Sequence, residues 1–84
     1  MIGIYDLPRF AMNNKKEMEA SSLAGCFHCG AIFQPSEIKE HTDEGNTCLC
    51  PHCKVDAVIG NACGFELTES RLLKAKNYWF STRD

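Results

Sequence analysis

Cys26-Phe27-His28-Cys29 is followed, after twenty residues, by Cys50-Pro51-His52-Cys53. Two Cys-x2-Cys pairs at this separation match the spacing of tetrahedral metal sites with four thiolate ligands. The residues between them are enough for a hairpin that brings the second pair opposite the first. The pattern therefore predicts one metal ion bound by Cys26, Cys29, Cys50 and Cys53.

The chemistry of four thiolates favours zinc, so we expect one structural Zn2+ ion. Four protein ligands leave no coordination position open for water, which indicates a site that stabilises the fold and does not hydrolyse a substrate. Iron is the alternative metal, because rubredoxins hold iron in paired Cys-x2-Cys loops. The sequence contains no nucleophile motif and no glycine-rich phosphate loop. We therefore predict that the protein is not an enzyme and has no catalytic residues.

The second motif, Cys50-Pro51-His52-Cys53, also matches the active-site motif of periplasmic disulfide oxidases. In those enzymes the first cysteine lies at a helix N-terminus, which lowers its pKa. Here the next residues are rich in β-branched side chains and end at Gly60, so they favour a strand over a helix. The second Cys-x2-Cys pair makes metal binding the preferred interpretation.

Two further cysteines, Cys48 and Cys63, lie outside the two pairs. Cys48 is a candidate substitute ligand or a small buried apolar residue, and the second interpretation is preferred. The histidines inside the motifs, His28 and His52, are expected to point outward, and His41 is expected at the surface.

The chain is short, acidic in its middle and rich in cysteine. It has 84 residues, six of them cysteine, and a net charge of −2. A chain of this length buries little apolar surface and needs a further source of stability such as a metal. No basic segment followed by an apolar core opens the sequence, so we expect a reducing cytoplasmic location, where cysteines serve metals more often than disulfides.

The chain divides into three parts within a single domain. Residues 1–22 form an N-terminal arm, residues 23–66 a zinc-ribbon module, and residues 67–84 an amphipathic helix and tail. Three interpretations of the arm are open. It is mobile, or it becomes ordered when it binds a partner, or it packs against the rest of the protein. Its candidate anchors are apolar: Ile2, Ile4, Tyr5, Leu7 and Phe10.

The fold class that these patterns predict is a small α+β zinc ribbon, with two cysteine knuckles on short antiparallel strands and a C-terminal helix packed on it. Residues 37–41 and 47–50 are expected to form a hairpin around a turn at residues 42–46. Thr68 is predicted to cap a helix that extends to residue 80. Its apolar stripe is expected to comprise Leu72, Leu73, Trp79 and Phe80, interrupted only by Lys76.

From Cys26 onward the chain resembles a family of small bacterial and phage zinc-ribbon proteins that are described only as cytoplasmic. The resemblance covers residues 26–80 and rests on short motifs at residues 26–29, 33–40, 43–47, 50–53, 56–60, 64–65, 67–68 and 78–80. It implies a rubredoxin-like zinc-ribbon fold and no particular activity. The family pattern has small residues other than cysteine at the positions of Cys48 and Cys63, which implies that these two are not essential ligands.

The leading functional hypothesis is a non-enzymatic module that presents its arm and hairpin to a protein partner. For a phage protein, this partner would be a host protein that the module inhibits or modulates. The alternative is a zinc ribbon that binds nucleic acid through its cations: Lys15, Lys16, Arg71, Lys74, Lys76 and Arg83. Electron transfer through bound iron is the third hypothesis.

Overall fold

The structure, a computed structural model, describes residues 3–80. Within this range the helices are α1 (Leu7–Phe10), α2 (Lys15–Glu19) and α3 (Glu69–Phe80). The strands are β1 (Ala24–Cys26), β2 (Ile32–Phe33), β3 (His41–Thr42), β4 (Thr47–Cys48) and β5 (Val58–Gly60), and single 3-10 turns cover Ile4–Asp6, Pro35–Glu37 and Asn61–Cys63. The predicted small α+β class with antiparallel strands and a C-terminal helix is confirmed. No helix in residues 3–80 has the length and apolar character needed to cross a bilayer.

A three-stranded antiparallel sheet in the order β2-β1-β5 forms the centre of the molecule. Ala24 pairs with Phe33 on one side and with Gly60 on the other. Every residue of β1 and β5 is buried. This burial indicates strands that are covered on both faces.

Two glycines allow helices to approach the two faces of this sheet. A Cβ atom at Gly25 would lie 3.0 Å from the side chains of Leu67 and Leu72, and one at Gly60 would overlap Ser21. Ala24 pairs with Gly60 and neighbours Gly25, so the two glycines point to opposite faces. The α2 region therefore lies on one face of the sheet and α3 on the other.

The second sheet is the hairpin β3–β4, joined by a tight turn at residues 43–46. The turn was predicted, but the strand expected over residues 37–41 is wrong except at His41. Pro35–Glu37 instead forms a 3-10 turn, in which the Glu37 carboxylate accepts a hydrogen bond from the Gln34 N–H at 3.0 Å. Proline has a fixed φ and no N–H, so it favours this turn over a longer strand.

Helix α3 begins as the sequence predicts, because the Thr68 hydroxyl accepts a hydrogen bond from the Arg71 N–H at 3.2 Å. Its buried face differs from the predicted stripe. Leu72 and Ala75 are fully buried, whereas Leu73 is 55% exposed. Leu72 faces the sheet at Gly25, and Ala75, three positions later, lies on that same side of the helix, whereas Leu73 does not.

The N-terminal arm packs on the body, which was one of the three alternatives, so the interpretation as a mobile arm is wrong for residues 3–22. Leu7 and Met18 are buried in the core, and Ile4 and Phe10 pack at its edge. The Trp79 indole N–H donates a hydrogen bond to the Ile4 carbonyl oxygen at 2.7 Å, which joins the arm to α3. The candidate anchor Ile2 lies outside the described residues.

Candidate metal centre

The four predicted ligands meet at one point beside the central sheet. Their sulfur atoms all lie within 4.8 Å of one another. The Cys26 and Cys53 sulfurs are 3.7 Å apart, as are those of Cys29 and Cys50. A tetrahedral ion with metal–sulfur bonds of about 2.3 Å requires sulfur–sulfur distances of about 3.8 Å. The cluster therefore fits one tetrahedral metal ion.

Each cysteine pair lies on a loop, and the two loops share one hydrogen-bond pattern. In the first loop the Gly30 N–H donates to the Cys26 carbonyl oxygen at 2.8 Å, and the Cys26 N–H donates to Ala31 at 2.9 Å. In the second loop the Lys54 N–H donates to the Cys50 carbonyl oxygen at 2.9 Å, and the Cys50 N–H donates to the Val55 carbonyl at 3.0 Å. The repeat of sequence at residues 26–29 and 50–53 is thus also a repeat of backbone structure.

Both loops close through a residue in the left-handed region. Gly30 has φ 82° and Lys54, at the equivalent position of the second loop, has φ 67°. Glycine adopts this conformation without steric cost, whereas a lysine does not. The left-handed conformation of Lys54 was not predicted from the sequence. The signal was present, since Lys54 follows its Cys-x2-Cys pair as Gly30 follows the first.

Backbone N–H groups also point at the first sulfur of each pair. The His28 N–H lies 3.3 Å from the Cys26 sulfur, and the His52 N–H lies 3.3 Å from the Cys50 sulfur. The Cys53 N–H makes a further contact with the Cys50 sulfur at 3.4 Å. Donors of this kind stabilise a thiolate over a thiol.

Burial raises the pKa of a cysteine thiol, whereas hydrogen bonds from these N–H groups lower it. Burial raises the pKa of the Cys26 thiol and that of the Cys53 thiol. Burial is also the largest influence on Cys50, but there the N–H groups of Cys53 and His52, together with the side chains of Cys29 and Cys53, outweigh it and lower the pKa. A divalent cation would compensate the negative charge that burial disfavours, because thiolates are its ligands.

The two other cysteines lie outside the cluster. Cys48 is fully buried in β4, and Cys63 is half-buried at the 3-10 turn that follows β5. Burial raises the pKa of both thiols. None of the six cysteines is in a disulfide. The preferred interpretation of Cys48 as a small buried residue agrees with this placement.

The histidines contribute no atom to the cluster. His52 is exposed and its ring lies 5.6 Å from the Phe33 ring, while His28 lies 4.7 Å from the Phe80 ring in an edge-to-face contact. The Nδ1 atom of His28 is buried without a hydrogen-bond partner among the described residues. His41 is exposed, as expected. The donor set of the cluster is therefore four sulfurs.

Comparison of the chain with protein-family models, with curated protein sequences and with solved structures found no match. The resemblance of residues 26–80 to small zinc-ribbon proteins stays a prediction. The class that the fold and cluster define is a small α+β protein with a four-cysteine site suited to a metal ion.

Proposed function

We propose that the protein binds one structural Zn2+ ion through Cys26, Cys29, Cys50 and Cys53, and that the zinc-bound fold is a zinc ribbon that acts as a non-enzymatic binding module for another protein. The single observation that carries the proposal is the cluster of four sulfurs at distances suited to a tetrahedral ion. When bound, zinc supplies a stable cross-link between the two cysteine loops and no redox chemistry.

A structural role follows from the number and burial of the ligands. Four sulfurs fill a tetrahedral coordination sphere, so no position is left for water or substrate. Cys26 and Cys50 are fully buried, and only Cys29 of the four is exposed. Zinc binding by sites of this kind contributes on the order of 10 kcal/mol to folding, which is as large as the total stability of many domains.

Metal analysis of purified variants tests the site. Elemental analysis of the chain expressed without metal supplementation should find one zinc per molecule. Cys29→Ser and Cys53→Ser should each lose most of the bound zinc, whereas the matched control Cys63→Ser should retain one equivalent. A red-brown, iron-containing protein would contradict the assignment of zinc, and loss of metal in the control would contradict the ligand set.

The arm is less suited to the binding role than the sequence suggested, because it uses most of its apolar residues internally. Leu7 is buried, and Ile4 and Phe10 pack against the core. The exceptions are Tyr5, which is 67% exposed, and Met12, which is 54% exposed. A partner would therefore contact a surface formed jointly by Tyr5 and its neighbours, and not a free arm.

Binding to nucleic acid has weaker support. Lys15 and Lys16 lie beside the hairpin, whereas Lys74 and Lys76 line two separate depressions on α3. Arg83 lies outside the described residues. Phosphate binding favours a single concentrated basic face, and the described lysines are spread over different surfaces.

A further inference from the structure

An exposed cluster of aromatic rings lies where the arm meets the C-terminal half of α3. The Tyr5 and Tyr78 rings pack edge to face at 4.7 Å, and the Tyr78 and Trp79 rings at 4.8 Å. Tyr5 is 67% exposed and Tyr78 is 54% exposed, so their outer faces are in solvent. The hydrogen bond from Trp79 to Ile4 holds the cluster in place. Exposed tyrosines that are fixed in this way are typical of binding surfaces.

A depression with positive charge adjoins this cluster. It has a volume of about 350 Å³ and is lined by Gly3, Ile4, Tyr5, Ser70, Arg71 and Lys74. None of these six residues is acidic. Its lining comes from residues 3–5 of the arm and from the first half of α3.

Arg71 is held in one position at this depression. Its Nε–H donates a hydrogen bond to the Glu66 carbonyl oxygen at 3.1 Å, and its guanidinium carbon lies 4.7 Å from the centre of the Phe65 ring. The guanidinium group therefore loses little conformational freedom when a ligand binds, and this favours affinity. Lys74, one helical turn further on, is exposed and adds a second charge.

We infer that this aromatic and basic face, formed by Tyr5, Tyr78, Arg71 and Lys74, docks an acidic segment of a protein partner. A carboxylate of the partner would lie between Arg71 and Lys74, and a neighbouring apolar side chain would pack on the tyrosine rings. The inference rests on the proposed role as a protein-binding module and adds the surface and the chemistry of the partner.

The charges favour an acidic protein segment over a nucleic-acid strand. The depression offers two cations, which is enough for one or two carboxylates. Three acidic residues are close to its lining residues in the chain: Glu69 precedes Ser70, Asp6 follows Tyr5, and Glu66 accepts the hydrogen bond from Arg71 through its carbonyl oxygen. A nucleic-acid strand carries a negative charge at every phosphate, so some of its phosphates would be repelled by these carboxylates. A protein segment can present its acidic residues only where the cations are.

Nuclear magnetic resonance titration of the zinc-loaded full chain tests the inference. The probe is a synthetic peptide that combines several glutamates with one tryptophan and one leucine. The controls are the same peptide with lysine in place of each glutamate, and a ten-residue oligothymidylate. Saturable shift changes are expected at Tyr5, Ser70, Arg71, Lys74 and Tyr78 with the acidic peptide alone.

Two variants of α3 that each reverse one charge, Lys74→Glu and Lys76→Glu, test the position of the binding surface. Lys74→Glu should weaken binding of the acidic peptide by about tenfold or more, because a like charge then faces the carboxylate. Lys76→Glu should leave it unchanged, because Lys76 lines the depression next to Cys29 on the other side of the helix. Both residues are exposed, so both variants are expected to fold.

Three results would overturn the inference: no saturable change with the acidic peptide, an equal effect of the two variants, or tighter binding of the oligothymidylate. Zinc content measured on the same samples separates this inference from the proposed function. One zinc per chain without peptide binding would refute the docking surface alone. Peptide binding by a chain that takes up no zinc would refute the zinc site alone.

Discussion

The side-chain amide of Asn14 donates a hydrogen bond to the Val58 carbonyl oxygen at 2.8 Å, inside the core and across 44 positions of the chain. The same amide donates to the Phe10 carbonyl oxygen at 3.1 Å, and its oxygen accepts from the Cys48 N–H at 3.2 Å. One buried side chain thus connects the arm, the hairpin and the central sheet. The arm is therefore a part of the fold and not an appendage.

Removal of this amide should destabilise the whole protein. Asn14→Ala removes the partner of buried backbone groups of Val58 and Cys48 and of the half-buried Phe10 carbonyl, which should lower the free energy of unfolding by about 2–4 kcal/mol. Urea denaturation of the zinc-loaded protein measures the change. Asn77→Ala, at an exposed position of α3, is the control and should change stability by less than about 0.5 kcal/mol. Equal effects of the two variants would contradict the connecting role of Asn14.

Substitution of the two residues with positive φ, Gly30 and Lys54, should change the stability of the protein in opposite directions. Gly30→Ala should lower stability by about 1–2 kcal/mol, because φ is positive there. Within residues 3–80, and apart from the two adjacent residues, no atom lies within 4 Å of the added Cβ, so the cost is conformational and not steric. Lys54→Gly should leave stability unchanged or raise it, since the strain it removes exceeds the small contribution of its exposed ion pair with Glu40.

Thermal unfolding of the zinc-loaded variants gives the comparison. The prediction is a lower midpoint for Gly30→Ala and an equal or higher midpoint for Lys54→Gly. A marked loss of stability in Lys54→Gly would mean that the two loops are not equivalent.

Metal affinity should fall as the pH falls. A thiol without a bound metal carries a proton at neutral pH, and burial raises the pKa of Cys26 and of Cys53 further, so both must lose protons when the ion binds. Binding therefore releases protons, and each such thiol weakens binding by up to about tenfold per pH unit of acidification. Competition with a chromophoric chelator between about pH 6 and pH 8 measures the slope.

The variant Cys63→Ser serves as the control for this slope. Cys63 also has a raised pKa because of burial, but it lies outside the sulfur cluster. The slope should be the same in this variant. An affinity that does not depend on pH, or that increases on acidification, would contradict a site made of protonated thiols.

The cluster of four cysteines was predictable because it depends on the spacing of residues that are close together in the sequence. Two Cys-x2-Cys pairs must each form a tight loop to bring two sulfurs to one ion, and the spacing between them must allow a reversal of the chain. The start of α3 was predictable for the same reason, since the Thr68 cap depends on a residue only three positions away.

The packing of the arm and the buried face of α3 were not predictable from local patterns. The partner of Asn14 lies 44 positions away, and no periodicity in residues 1–22 indicates it. The buried face of α3 is set by the contact of Leu72 with the sheet at Gly25, and Ala75, three positions later, lies on that same side, whereas Leu73 is exposed. Both features are determined by tertiary contacts between segments that are far apart in the sequence.

The central claim is that a zinc ion held by four sulfurs stabilises this fold. The most direct test is the proton–nitrogen correlation spectrum of the reduced protein at neutral pH, before and after complete metal removal by a strong chelator. We predict that the dispersed signals of residues 23–66 collapse on metal removal and return when one equivalent of zinc is added. A spectrum that stays dispersed and unchanged after complete metal removal would contradict the claim.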